Sequence, residues 1–244
     1  MTDAYIIGVF SVTVRAHPVP MQIRLIKREV VNVMAIFSNP SKLNSKAFPI
    51  PVRDNTCLGR LDQKTGELLE KCVGCYADNR GFYAMPDTKK VREDNLSLFN
   101  EKPEEFTFWM IGKLNRMRNK EFRWFDSGDI FSIEFLKALI EICEKTSDTT
   151  HWIPTTTWNY PNNEFLRLLQ VLRKLPNVRL RASNRADKVE INKSLYPLQS
   201  VVVNKLEKST KELFYCPASN QGGKCSNCRA CYKEPIQTIA YLKH

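Results

Sequence analysis

The feature that most constrains this chain is the alternation, from about residue 100 onward, of short apolar runs with stretches of helical period. Pro103 suits the first turn of a helix running to about Lys120, because a helix start leaves that backbone N–H unbonded in any case. Phe106, Met110, Leu114 and Met117 then share one face of it. Residues 122–125 read as a strand, and Ser132 can cap a second helix carrying Ile133, Leu136, Ile140 and Cys143 at spacings of three and four. A strand follows at 152–156. Asn162 or Asn163 can cap a third helix bearing Phe165, Leu169, Leu172 and Leu175, which Pro176-Asn177 breaks before strands at 178–182 and 199–203. Strand and helix alternating through short connections is the pattern of right-handed parallel βαβ units. The expected fold is therefore α/β, a (β/α) TIM-like barrel, whole or partial, with an open doubly wound sheet as the alternative. At 244 residues a barrel has to be compact or incomplete, since about 250 is typical of a full one.

The expected organisation has three parts. Residues 1–33, two Val- and Ile-rich runs separated by Pro18 and Pro20, form an accessory β-hairpin or an upstream reading of a start that belongs at Met34. Residues 34–210 form the barrel-like catalytic domain. Residues 211–244 form a loop-like, cysteine-rich metal-binding segment.

Eight cysteines stand at 57, 72, 75, 143, 216, 225, 228 and 231, in two clusters and one stray. Clustering favours metal over disulfides in a reducing cytosol. Cys216-x8-Cys225-x2-Cys228-x2-Cys231 offers four thiolates within sixteen residues, and Gly222-Gly223 lets the backbone bend around a central ion. Four sulfurs suit a closed, structural Zn site, and the intervening Ser226, Asn227 and Arg229 resemble a zinc knuckle. The same set can hold an iron–sulfur cluster. Cys57-x14-Cys72-x2-Cys75 supplies three thiolates without an evident fourth, which leaves a position open as a catalytic metal requires. A 4Fe-4S cluster whose fourth iron binds S-adenosylmethionine would use such a set, although the typical spacing is Cys-x3-Cys-x2-Cys. A Zn site completed by a distant residue, or an inert loop staple, is the alternative.

The run Arg123-Trp124-Phe125-Asp126-Ser127-Gly128-Asp129 ends a predicted strand, at the edge where parallel α/β folds carry their sites. Asp126 and Asp129 are placed there for acid–base or nucleophilic work. Ser127 adds a short-range donor, and Gly128 allows close backbone approach. The plainer reading makes Asp129 or Ser132 a helix cap. The later strand ends pass into Thr156, Trp158 and Asn184, which are expected to line a pocket for a polar ring, with Asp187 close behind. His151 is equally a structural histidine or a catalyst. Only three histidines are present, none in a zinc-deaminase or metalloprotease context, and there is no Gly-x4-Gly-Lys phosphate loop.

Charge bears on the partner. Lys and Arg number 37 against 26 Asp and Glu, a formal net charge of +11, with a pI near 9.3, so a polyanion is the natural candidate. Basic residues crowd 112–124, where Lys113, Arg116, Arg118, Lys120 and Arg123 lie, and 172–193. Such patches favour nucleic acid, and Trp124, Trp152 and Trp158 would stack on an exposed base. A solvated basic face is the alternative. No run approaches the roughly 18 apolar residues of a membrane span, and residues 6–14 lack the basic leader of a signal peptide; no membrane partner is expected.

Two resemblances meet on these residues. Asn44-Ser45-Lys46, Cys57 with Cys72-Val73-Gly74-Cys75-Tyr76-Ala77, the 122–129 run and the final cysteine group together resemble the bacteriophage gene-product-88 type of protein across nearly the whole chain after Met34. That resemblance implies phage origin and a place in the host cytoplasm. Separately, Asp126-Ser127-Gly128-Asp129-Ile130-Phe131 is similar to the Asp-Ser-Gly-Gly-Phe-Gln segment of tRNA-guanine transglycosylases, with Asp129 where those enzymes have a second Gly. They are TIM barrels with a structural zinc, and their phage relatives place 7-deazaguanine bases such as preQ0 in DNA. This second resemblance implies a DNA-modifying pentosyltransferase in which a carboxylate attacks deoxyribose C1′ and displaces guanine. Asp126 would match the base-recognising or acid–base aspartate; the motif does not carry over the nucleophile, for which Asp187, at the end of a later strand, and Asp129 are the candidates. The competing expectations are a radical-SAM-like iron–sulfur enzyme acting on nucleic acid or a nucleobase, and a zinc-stabilised DNA-binding accessory protein.

Overall fold

The computed structural model describes residues 37–40, 43, 45–53, 56–62, 65–69, 72, 73, 75–79, 85–184, 190–205 and 207–242. Seven strands make one sheet: β1 (Lys46–Phe48), β2 (Glu121–Trp124), β3 (Thr150–Thr155), β4 (Val178–Ser183), β5 (Gln199–Val203), β6 (Leu213–Tyr215) and β7 (Thr238–Leu242). Their spatial order is β1-β2-β3-β4-β5-β7-β6, and every neighbouring pair is parallel. The helices are the short α1 (Tyr76–Asn79), then α2 (Pro86–Glu101), α3 (Pro103–Arg116), α4 (Ile133–Lys145) and α5 (Asn163–Lys174).

The α/β class and the parallel sheet stand; a closed TIM barrel is not shown. Among the described residues they make an open row with β1 and β6 at its edges. The doubly wound alternative fails for β1 to β5, whose order never reverses. Winding in one direction, with right-handed crossovers, puts the helices on a single face. Side-chain alternation separates the two faces. Phe122, Trp124, Ile153, Val178 and Leu180 enter one core with Met110, Leu136 and Leu169 of the helices. The opposite set, Arg123, Trp152 and Arg179, lies in register across β2, β3 and β4 and meets the C-terminal segment instead.

The helices start where the sequence places their caps. Pro103 opens α3, Ser132 Oγ accepts from Phe135 N at 3.0 Å, and Asn162 Oδ1 accepts from Phe165 N at 2.9 Å. α3 ends earlier than expected, since Met117 is already extended at φ −66° and ψ 135°. The tail is not all loop, because it contributes β6 and β7. The expected N-terminal hairpin at 1–33 lies outside the described residues.

Candidate functional site

Three connections at the C-terminal ends of adjacent strands are stitched into one floor. After β1, Ile50 O accepts from Ser127 Oγ at 2.7 Å, and Thr56 O accepts from Asp129 N at 3.0 Å. After β2, Phe125 takes φ 58° and Gly128 φ 78°. The positive φ at Phe125 carries a conformational cost that the surrounding bonds must hold in place, and it turns Asp126 away from the strand direction. A Cβ on Gly128 would stand 2.3 Å from Ile50 Cγ1, so close approach between the two connections requires glycine there.

Asp129 ties in the third connection. Its Oδ2 accepts from both N and Oγ1 of Thr156, each at 2.7 Å, and its Oδ1 accepts from Ile130 N at 2.8 Å. The side chain is buried. Burial raises the carboxyl pKa, and the hydrogen bonds of Thr155, Thr156 and Ile130 oppose that rise. Asp129 is therefore a strap between connections, with both carboxylate oxygens hydrogen-bonded; the helix cap is Ser132.

The first cysteine cluster sits on this floor, and its fourteen-residue gap closes into a hairpin. Leu61 bridges antiparallel to Leu68, Leu69 N donates to Arg60 O at 2.8 Å, and Asp62 N donates to Glu67 O at 2.8 Å. The hairpin brings Cys57 at one foot beside Cys72 and Cys75 at the other. The Cys57 thiol is pushed well above its ordinary pKa, first by burial and then by Asp129, Cys72 and Cys75, while Arg60 opposes this. Asp78, one turn past Cys75, pairs with Arg53 and, at 3.2 Å, with Arg60, which fastens α1 to the first foot.

Asp126 is held at the side of the floor. Ser38 Oγ donates to its Oδ2 at 2.7 Å, and Arg92 Nη2 stands 3.7 Å from its Oδ1. Arg92 is nearly fully buried on α2, next to Asn95, whose Nδ2 donates to Pro49 O at 2.7 Å. These two residues were not singled out from the sequence. Their signal is the spacing Arg92-x2-Asn95-x3-Phe99, which places two polar side chains on the helix stripe that also buries Phe99.

The second cysteine cluster lies against the helix-free face. Cys216, Cys225, Cys228 and Cys231 line one cavity of about 20 Å³. All eight cysteines are free thiols. Among the described residues no three His, Cys, Asp or Glu side chains stand in a ready-made ligand arrangement.

Several expected substrate contacts are engaged elsewhere. Trp124 is fully buried, while Trp152 and Trp158 are nearly so; none offers a face for base stacking. Trp158 Nε1 donates to Ser183 O at 2.7 Å, and the residue floors a groove of about 410 Å³ with Tyr196 and Gln170. Asn184 joins β4 to β5, its N donating to Ser200 O at 2.8 Å and its Oδ1 accepting from Val202 N at 3.3 Å. Arg123 stacks on Trp152 with its guanidinium carbon 4.7 Å from the ring centre. Arg179 and Arg181 bond carbonyls of the C-terminal segment, so these three arginines do not contribute to a basic surface track. Asp187 lies outside the described residues.

No helix among the described residues is long and apolar enough to cross a membrane. No curated protein and no solved structure matches the chain. The family described as gene product 88 matches residues 22–234, a span that takes in both cysteine clusters, the stitched floor and strands β1 to β6, with β7 beyond it. The chain belongs to the gene product 88 family.

Proposed function

We propose that the protein is an iron–sulfur enzyme that uses S-adenosylmethionine for radical chemistry, with Cys57, Cys72 and Cys75 as the cluster ligands. The observation that carries this reading is the hairpin beyond the C-terminal end of β1, which brings Cys57 into the neighbourhood of Cys72 and Cys75. Cys57, Cys72 and Cys75 would hold the cluster, which, once reduced, would supply one electron to S-adenosylmethionine. The chain's own residues hold the feet of the hairpin in place: Asp129 and Thr156 beneath Cys57, and Asp78 with Arg53 and Arg60 beside Cys75. Asp126, positioned by Ser38 and Arg92 at the next strand end, is the polar group best placed to orient a substrate. A nucleic acid or nucleobase is the substrate class, on the strength of the net charge of +11.

Base exchange into DNA has less to stand on. Asp129 is buried with both oxygens bonded, and Asp126 is held by Ser38 and Arg92. Neither presents the exposed carboxylate that attack on C1′ needs.

The test is anaerobic purification followed by iron, sulfide and zinc analysis and a visible spectrum. The expected protein is brown and, given a one-electron reductant, converts S-adenosylmethionine to methionine and 5′-deoxyadenosine. Cys57→Ser, Cys72→Ser and Cys75→Ser should each abolish that conversion. A colourless protein holding zinc alone, or cleavage that survives the triple substitution, overturns the reading.

A further inference from the structure

The helix-free face of the sheet raises a separate question of charge. Arg181 is fully buried and donates to five backbone carbonyls, those of residues 230, 231, 233, 236 and 237, at 3.0–3.1 Å. Among the described residues no carboxylate pairs with it. Arg123, on the same face, stacks on Trp152; among the described residues it likewise has no carboxylate partner, and its buried Nε has no hydrogen-bond partner. A buried guanidinium with only carbonyl partners keeps its full charge in a low-dielectric setting, which is costly unless a counter-charge lies near. The acidic groups that do lie near are thiols and two phenols, Tyr241 beside Arg181 and Tyr232 beside Arg123. Arg181 acts on Cys231, and Arg123 acts on both Cys225 and Cys231. Four thiolates around a dipositive metal centre leave about two negative charges in excess, which matches the two uncompensated cations.

The cavity these four thiols line holds about 20 Å³, enough for one water-sized sphere. Cys231 is set apart from the others, because its Sγ lies 3.2 Å from the Tyr241 hydroxyl on β7. A thiol and a phenol at this distance share one proton donor; a metal-bound thiolate can only accept, so the hydroxyl then donates. Outer hydrogen bonds of this kind orient ligands and slow their exchange.

We propose that Cys216, Cys225, Cys228 and Cys231 form a closed thiolate metal centre that clamps the C-terminal segment onto the helix-free face, with Arg123 and Arg181 as its counter-charges and Tyr241 as its outer hydrogen-bond donor. Zinc and an iron–sulfur unit present the same ligand chemistry, and the experiment separates them. The inference does not rest on the reading of the first cluster.

The test uses the full chain carrying Cys57→Ser, Cys72→Ser and Cys75→Ser, so that any metal left belongs to the second centre. Either one zinc per chain or iron with matching sulfide should remain, and adding Cys225→Ser and Cys228→Ser should remove it. Because that variant can lose its fold, Tyr241→Phe is measured alongside: it should keep the metal but release it to a thiol-reactive chelator several-fold faster. Stripping the metal from otherwise unmutated protein should expose residues 216–237 to protease while the helical side resists. Absence of bound metal in the first background, metal retained after loss of Cys225 and Cys228, or a release rate unchanged in Tyr241→Phe overturns the proposal.

Discussion

Trp124 donates its indole N–H to Nδ1 of His151 at 3.2 Å, and this fixes the imidazole's remaining proton on Nε2. That nitrogen faces Thr146 Oγ1 at 2.9 Å, whose own hydrogen goes to Ile142 O at 2.6 Å. His151 is thus a fully buried structural residue, not a catalyst. Burial lowers its pKa to about 4. The unfolded chain, with an ordinary histidine, binds the proton more readily between about pH 6.5 and 4, so this contribution to stability is complete above 6.5 and is lost as pH falls through 4. The expected loss is about 3 kcal/mol. Urea midpoints measured from pH 7.5 down to 4 should fall across that window, and His151→Gln should flatten the fall.

Asp129→Ala should destabilise the protein by about 2–4 kcal/mol, because it strands the buried N–H groups of Ile130 and Thr156. Thr156→Ala removes only the hydroxyl bond and should cost about 1 kcal/mol. Denaturant titration of both variants checks the ratio. Equal effects would mean that the Asp129 strap is held through the hydroxyl alone.

Gly59→Ala tests the seat of the cysteine hairpin. An added Cβ would stand 1.8 Å from Thr156 Oγ1 and 2.9 Å from the Thr156 carbonyl carbon. The hydroxyl can turn aside, but the Thr156 Cβ at 2.5 Å and the backbone cannot, so a loss of about 1–3 kcal/mol is expected, and pairing it with Thr156→Ala should restore only part. Thermal midpoints of the single and double variants report this directly.

The middle of the chain was legible because its signals are local. Ser132 and Asn162 cap α4 and α5, Pro103 opens α3, and β5 has the bounds read from its Val-rich run. β1 escaped notice because it has three residues and owes its existence to its pairing with β2. α2 was missed because its buried stripe carries Arg92 and Asn95 in place of apolar residues. The cysteines announced their chemistry, whereas their setting did not. Nothing in the spacing from 57 to 72 says that Leu61 and Leu68 pair, and nothing local marks Arg181 or Tyr241 as neighbours of Cys231. The tryptophans and strand arginines misled for a related reason: position near a strand end does not say which face a side chain takes, and these were committed to the core or to the covered face.

Arg181→Met should release the C-terminal segment selectively. It deletes five carbonyl bonds and leaves acceptors buried without donors, a loss of about 3–5 kcal/mol. Arg181→Lys, with fewer donors and no planar fork, should recover only part of it. Hydrogen exchange should quicken in residues 229–237 while amides of α4 and α5 stay protected.

The order of the last three strands has a kinetic consequence. β7 is the final strand in the chain but lies between β5 and β6, and β6 pairs with no other strand among those described. Among the described strands, β6 has nothing to bond to and β5 keeps an open edge until β7 has been synthesised. Both are satisfied together when residues 238–242 arrive, so the sheet closes its last two places in a single late event. Whatever delays or blocks β7 therefore leaves two described strands, β5 and β6, with open edges, and the β5 edge is where a second chain would add.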